Sequence, residues 1–348
     1  MRMKNNLHIS APRGSDILRP SSKIVDQHDR TFDYLRLAVN EKCNLRCIYC
    51  MPEEGIGLLK EDLYLSQLEI KRILYLFSQM GISKIRFTGG EPLLRKDIPE
   101  LISYAKNQCE IDKIYLTTNG ILLNKYIKEL ESAGLAGINI SLDSLIPERF
   151  KKITRRNKLD QVLNNIELVQ DSNISSLKIN VVFMRGFNDD ELLNFVQMTK
   201  TNKLTVRFIE LMPFDAHQIW KTGKFYKSED IVRDLKNQVK GLQPVTGSNT
   251  EHYIFQVDGY LGKVAVIPSY SRNLCTNCNR VRVTADGSLK NCLYSKEEKS
   301  LRDEIRKGAS DQELKDLVCN SFFAKHKDGW EAQRVEGNLR KSMTQIGG

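Results

Sequence analysis

Short β-branched runs alternate with longer amphipathic segments through the first two thirds of the chain, and this repeat limits the fold more than any other feature. Leu35–Val39, Lys84–Thr88, Lys113–Thr118, Gly137–Leu142, Leu177–Val182 and Leu204–Ile209 read as strands. Between them, apolar residues recur at helical spacing, as in Ile70, Ile73, Leu74 and Phe77, or Val162, Leu163, Ile166 and Val169, with Ser66 and Asp160 as expected N-caps. Strand–helix repeats of this kind build a parallel sheet. Right-handed crossovers wind such a sheet toward closure with helices outside, so the expected class is α/β. Ligands then gather at the C-terminal ends of the strands, where the chain places a cysteine-rich loop, Gly89-Gly90-Glu91-Pro92 and Thr118-Asn119-Gly120.

After Asp215 the pattern changes. One more helix is expected through Ile231, Val232, Leu235 and Val239, then short strands at Tyr253–Val257 and Lys263–Ile267, a tight turn at Asp286-Gly287, and a late helix over Leu314–Phe323. The expected organisation is a flexible leader over 1–32 with no chemistry, a barrel over 33–215, and a smaller α+β module over 216–348. An apolar content of 41% against 28% charged residues fits a folded globular chain. No run approaches the roughly 18 apolar residues of a membrane span, and no signal-peptide core is apparent, so a cytoplasmic protein is expected.

Six of the eight cysteines fall into two tight sets, Cys43-Cys47-Cys50 and Cys275-Cys278-Cys292, which in a reducing compartment points to metal centres; Cys109 and Cys319 read as ordinary small buried residues. Structural zinc takes four protein ligands, so three thiols either borrow a distant fourth or leave a position open. A [4Fe-4S] cluster on three cysteines keeps one iron free to bind a small molecule. Zinc is a more serious rival at the second set than at the first. There, Arg280 and Arg282 alternate on an expected strand, and their guanidinium forks suit phosphate oxygens or base edges. In the Gly89-Gly90 turn, glycine allows close backbone approach to a ligand, and Glu91 is placed to pair with an ammonium group. Lys and Arg outnumber Asp and Glu by 53 to 43, a surplus that favours anionic ligands.

The spacing of Cys43, Cys47 and Cys50, with Tyr49 before the last thiol, resembles the defining motif of the radical S-adenosylmethionine (SAM) superfamily. The stretch from Asn273 to Leu293 and the final Gly347-Gly348 are similar to the GTP 3′,8-cyclase family of molybdenum cofactor biosynthesis, over essentially the whole chain from about residue 30. The resemblance implies an incomplete (β/α)6 TIM-like barrel, with a C-terminal module carrying a second [4Fe-4S] cluster. It implies a first cluster on Cys43, Cys47 and Cys50, a second on Cys275, Cys278 and Cys292, and SAM contacts from Tyr49, Gly90, Ser141 and Met212. GTP would be held by Arg36, Arg86, Thr117, Lys178, Arg280, Val281 and Arg282, with Arg280, Arg282 and the first three cysteines carrying catalysis. The implied reaction is removal of the ribose 3′ hydrogen of GTP by a radical from SAM and attack on guanine C8. Reduction and protonation of the resulting aminyl radical give the product, 3′,8-cyclo-7,8-dihydro-GTP. Implied partners are cyclic pyranopterin monophosphate synthase downstream, a reductant such as flavodoxin or ferredoxin, and a second copy in a homodimer, with neither membrane nor nucleic acid. In the family the two terminal glycines reach into the active site. Two alternatives stand beside this reading: another radical SAM enzyme with an auxiliary cluster, which should lack the Arg280–Arg282 pair, and a basic zinc protein that binds nucleic acid.

Overall fold

The computed structural model describes residues 23–212, 223–246, 253–271, 275–296 and 298–336. Gly347-Gly348, Asn273 and the leader up to residue 22 lie outside the described residues. In chain order, β1 (Ile24–Val25) and β2 (Thr31–Phe32) form a hairpin, followed by β3 (Tyr34–Ala38), α1 (Gln67–Gln79), β4 (Lys84–Thr88), α2 (Ile98–Asn107), β5 (Lys113–Thr118), α3 (Leu123–Ser132) and β6 (Gly137–Ser141). Next come α4 (Pro147–Thr154), α5 (Leu159–Gln170), β7 (Ser176–Phe183), α6 (Leu192–Thr201), β8 (Thr205–Glu210) and α7 (Ser228–Gln238). The chain continues through β9 (Leu242–Pro244), β10 (Tyr253–Val257), β11 (Lys263–Ile267), β12 (Arg280–Val283), β13 (Ser288–Lys290), β14 (Lys299–Ser300), α8 (Leu301–Arg306), α9 (Asp311–Phe323) and α10 (Gly329–Glu336).

The six expected strands are β3 to β8, which lie side by side in sequence order and run parallel. Each joins the next through at least one helix, as parallel pairing requires. Period-two alternation sets the two faces. Leu35, Phe87, Leu116, Ile140, Val181 and Phe208 pack outward with helix residues such as Ile73, Phe77 and Ile166 in one apolar core, while Arg36, Arg86, Thr117, Asn139, Lys178 and Arg207 face a cavity on the inner side. The main apolar core is therefore the layer between strands and helices, and polar groups fill the interior.

The C-terminal part is not a separate layer. It extends the barrel sheet at both edges, with β11 parallel to β8 and β12 parallel to β3, in the order β14-β13-β12-β3-β4-β5-β6-β7-β8-β11-β10-β9. The consecutive buried Val264, Ala265 and Val266 of β11 suit a strand covered on both faces. The end of the expected leader also departs from a flexible tail. Ile24 and Phe32 are fully buried, and Phe32 meets Phe322 edge-on at 4.7 Å. Strands two residues long carry no readable period, which is why that hairpin escapes sequence patterning.

Ser66 caps α1 with a full capping box: its side chain accepts from the Glu69 N–H, and the Glu69 carboxylate accepts from the Ser66 N–H. Asp160 does not cap α5. Lys158 holds that position without a side-chain bond, and Asp160 sits in the first turn, where its charge still favours the helix N-terminus. Ser66→Ala is expected to cost about 1 kcal/mol in urea unfolding; an unchanged midpoint would remove the capping box from the account of α1.

Candidate active site

The inner face of the sheet borders a cavity of about 540 Å³. Three arginines stand in register along it, Arg282 beside Arg36 and Arg36 beside Arg86, on strands roughly 4.8 Å apart. Arg36 Nε and Arg282 Nη1 are buried without a hydrogen-bond partner. Burial, then the charge of Arg282, holds the Arg36 guanidinium well below its ordinary range; burial and Arg280 bring Arg282 down to about 10. Arg86 is better satisfied, donating from Nε to Tyr34 Oη at 2.6 Å and from Nη1 to Thr117 Oγ1 at 3.3 Å, with its guanidinium 5.0 Å from the centre of the Tyr115 ring. Burial pushes the Tyr34 phenol up, but the charges of Arg86, Arg36 and Lys84 outweigh it and bring the group down to about 7. Buried like charges with open donors are costly alone and are offset by a polyanion.

The first cysteine loop follows β3 and rests on the C-terminal end of α4, where Arg46 N–H donates to Thr154 O at 3.0 Å and Ile48 N–H to Ile153 O at 2.9 Å. Cys43, Cys47 and Cys50 all line the cavity, as does Tyr49, whose hydroxyl donates to Asp143 at 2.6 Å. Burial pushes Cys43 up to about 11 and Cys47 well above the usual thiol range. Thiolates there need the positive charge of a metal centre, and three thiols on one short loop suit a cluster with an open iron. Among the described residues, no group of three or more His, Cys, Asp and Glu side chains is arranged to hold a single metal ion.

The Gly89-Gly90 turn has a packing reason. A Cβ at Gly89 would lie 2.4 Å from Asn40 O, and one at Gly90 2.4 Å from Lys42 O, because the turn binds the stem of the cysteine loop through Gly90 N–H to Asn40 O and Glu91 N–H to Lys42 O. Both glycines border the cavity. Glu91 corrects the expectation of an ammonium partner: it is fully buried and accepts from Leu93 N–H, Thr118 Oγ1 and Asn119 N–H. Burial lifts it to about 7 against those donors. Its carboxylate ties the second and third strand-end loops together, and Asn119 then bonds Asn44 beside Cys43 at 2.6 Å.

Cys275, Cys278 and Cys292 border the same cavity. Burial pushes Cys278 up, but the nearby charges of Lys325, Arg280 and Arg282 outweigh it and lower the thiol, a setting that suits thiolate ligands. Cys278 comes just before β12 and Cys43 shortly after β3, and these strands are parallel and paired. The two sets therefore reach the cavity from opposite ends of one strand pair, with the arginine row between. Ser141, Met212, Thr117, Lys178 and Arg280 also line the space, whereas Val281 does not and its side chain packs in the apolar core. Sequence reasoning missed Tyr34, Lys84, Asn139, Asn180 and Arg207, all on the inner face. Strand parity could have found them, since Asn180 is two residues beyond Lys178 and Arg207 pairs with Asn180. Arg30 and Lys325 had no such signal.

Residues 37–199 match the model of the radical SAM superfamily, and 204–330 that of Molybdenum Cofactor Synthesis C. The GTP 3′,8-cyclase of Chlorobaculum tepidum is 42% identical over 325 residues, covering 93% of this chain and 97% of that one. The GTP 3′,8-cyclase of Syntrophomonas wolfei is 41% identical over 332 residues, covering 93% and 100%. The chain belongs to the GTP 3′,8-cyclase family. The mitochondrial GTP 3′,8-cyclase of Arabidopsis thaliana, 40% identical over 329 residues, covers 94% of this chain with 84% of its own length. In architecture the family member resembles Streptococcus suis SuiB bound to S-adenosylmethionine, with a TM-score of 0.55 at 15% identity over 84% of this chain and 69% of that one.

Two outcomes follow from this geometry. Glu91→Gln turns one acceptor oxygen into a donor facing a donor and is expected to cost about 1–3 kcal/mol in denaturant unfolding; an unchanged stability would show the clamp to be dispensable. Arg36→Leu removes a guanidinium whose buried Nε has no partner and should stabilise the protein by about 1 kcal/mol or more, measured by thermal unfolding. A less stable variant would mean that Arg36 is satisfied by the protein itself.

Proposed function

We propose that GTP lies in the cavity between two [4Fe-4S] clusters, the first on Cys43, Cys47 and Cys50 and the second on Cys275, Cys278 and Cys292, in a radical SAM reaction that yields 3′,8-cyclo-7,8-dihydro-GTP. The enzyme is a radical SAM GTP cyclase of molybdenum cofactor biosynthesis. The observation that carries the site reading is the row of Arg282 and Arg36, each with one buried nitrogen that has no hydrogen-bond partner, beside Arg86. A triphosphate supplies the negative charge that this row lacks. Arg36, Arg86, Lys178, Arg280 and Arg282 bind and orient the phosphates and base, Tyr34 and Thr117 hold Arg86 in position, and Val281, between Arg280 and Arg282, contributes through its backbone. Tyr49, Gly90, Ser141 and Met212 face the SAM side.

When bound, SAM and the first cluster supply hydrogen-atom abstraction, which no side chain here can perform. The protein holds the reacting carbons close and keeps water away from them, inside a sheet walled by helices. In this reading the chain is a barrel over 33–215 joined to a C-terminal module over 216–348. It works in the cytoplasm as a homodimer, takes electrons from a flavodoxin or ferredoxin, and passes its product to cyclic pyranopterin monophosphate synthase. No helix among the described residues is long and apolar enough to cross a membrane.

The test is anaerobic turnover of reconstituted protein with dithionite, SAM and GTP, read by mass spectrometry for 5′-deoxyadenosine and the cyclised nucleotide. Both products are expected from the unaltered chain, neither from Cys43→Ala, and deoxyadenosine without cyclised nucleotide from Cys278→Ala. Deoxyadenosine without cyclised nucleotide from the unaltered chain would overturn the substrate, and full activity of Cys278→Ala would overturn the second site.

A further inference from the structure

The hairpin of β1 and β2 makes contacts that simple packing against α9 does not require. The Arg30 guanidinium, only 9% exposed, is directed at acceptors around the second cysteine set. Its Nη1 donates to the carbonyls of Cys275 at 2.9 Å and Lys327 at 2.6 Å, its Nη2 to that of His326 at 2.8 Å, and its Nε to Asp26 Oδ2 at 2.6 Å. Asp26 also accepts from the His28 and Arg30 N–H groups at 2.9 and 3.0 Å, so the hairpin turn is built around the same carboxylate that orients the fork. Gln27 adds a bond from Nε2 to Lys325 O at 3.1 Å.

The far end of the Cys275–Cys278 loop is held by the next residues of the same segment. Tyr34 N–H donates to Asn279 O at 3.2 Å, and Asn279 Nδ2 donates to Asp33 Oδ1 at 2.6 Å. The third cysteine is served from the opposite side, where buried Lys325 donates from Nζ to the carbonyl of Asn291, the neighbour of Cys292. Residues 26–34 therefore grip both ends of one cysteine loop and the chain that supports the other.

We propose that the hairpin of residues 24–32 is a wall of the second cluster's cage and that Arg30 is its positioning residue, fixing the Cys275 carbonyl and the 326–327 segment in one frame. This inference rests on reading Cys275, Cys278 and Cys292 as a cluster site. A planar fork bonds three carbonyls and a carboxylate in set directions, which a lysine of equal charge does not reproduce. Groups that orient ligands from outside the coordination shell govern how firmly a centre is held.

The experiment uses the full chain with Cys43, Cys47 and Cys50 all changed to alanine, so that only the second site is left to take a cluster. It is reconstituted anaerobically and read by iron and sulfide content, the electron paramagnetic resonance spectrum after reduction, and the rate of iron loss to a chelator. A background chain that takes up no cluster would overturn the cluster reading itself, and the inference with it. With a cluster present, Arg30→Lys is expected to lose iron about 10-fold faster or more, with a changed resonance spectrum and an unfolding midpoint close to that of the background. Asp26→Asn, which removes the charge paired with Arg30 and places an amide against Nε while keeping one oxygen for the His28 and Arg30 N–H groups, should move both readouts in the same direction and carries the test if Arg30→Lys fails to fold. Arg72 is the control: it bonds Ala309 O and Asp311 on the outside of the sheet, so Arg72→Lys should leave iron retention unchanged. Unchanged retention and spectrum in Arg30→Lys and Asp26→Asn, or an equal loss in Arg72→Lys, would overturn the role of Arg30.

Discussion

The parallel pairing of β12, β3 and β4 is the constraint on which the rest of the site depends. It sets Arg282, Arg36 and Arg86 next to one another on the inner face. Side chains directly opposite on neighbouring strands with like charge repel, and two of these guanidinium groups also carry a buried nitrogen without a partner. Such a row survives in a folded chain only because the outer face of the same strands packs a large apolar layer under the helices. The cost of this charged face is offset on the other side of the backbone that builds it, the arrangement expected where function works against stability.

Around that row, the loops are positioned by direct backbone approach. Gly89 and Gly90 bring the second strand-end loop against the stem of the first cysteine loop at distances no side chain would allow, and Glu91 draws in the third loop through Thr118 and Asn119. Three loops from three strands thus form one rigid rim. The motif therefore borders the cavity through its glycines and at the same time joins the three loops through Glu91.

Much of the fold is legible in the sequence, because β3 to β8 and their helices obey the two periods that burial imposes. The cysteine sets are legible from spacing, Arg280 and Arg282 from their alternation beside the second set, and Arg36, Arg86 and Lys178 from the family resemblance alone. Three things are not. The edge pairing of β11 and β12 depends on which strands remain unpartnered after the barrel forms, and no local pattern states that. The hairpin at residues 24–32 is held by Asp26, Arg30 and two buried apolar side chains rather than by periodicity. The burial of Glu91 is set by neighbours from two other loops, so its role is invisible along the chain.

The pairing of β12 with β3 joins segments about 245 residues apart, as the bond from Arg30 to Cys275 records. During synthesis from the N-terminus, β3 and β4 can pair and wind through the barrel while the far edge of β3 still has no neighbour. That edge stays open until the chain beyond Val283 has emerged. Long-range closure of this kind is slow compared with local strand pairing, and Arg36 acquires Arg282 as its neighbour only through it. The arginine row is thus built in two parts, Arg36 beside Arg86 by a local pairing and Arg282 beside Arg36 by a distant one.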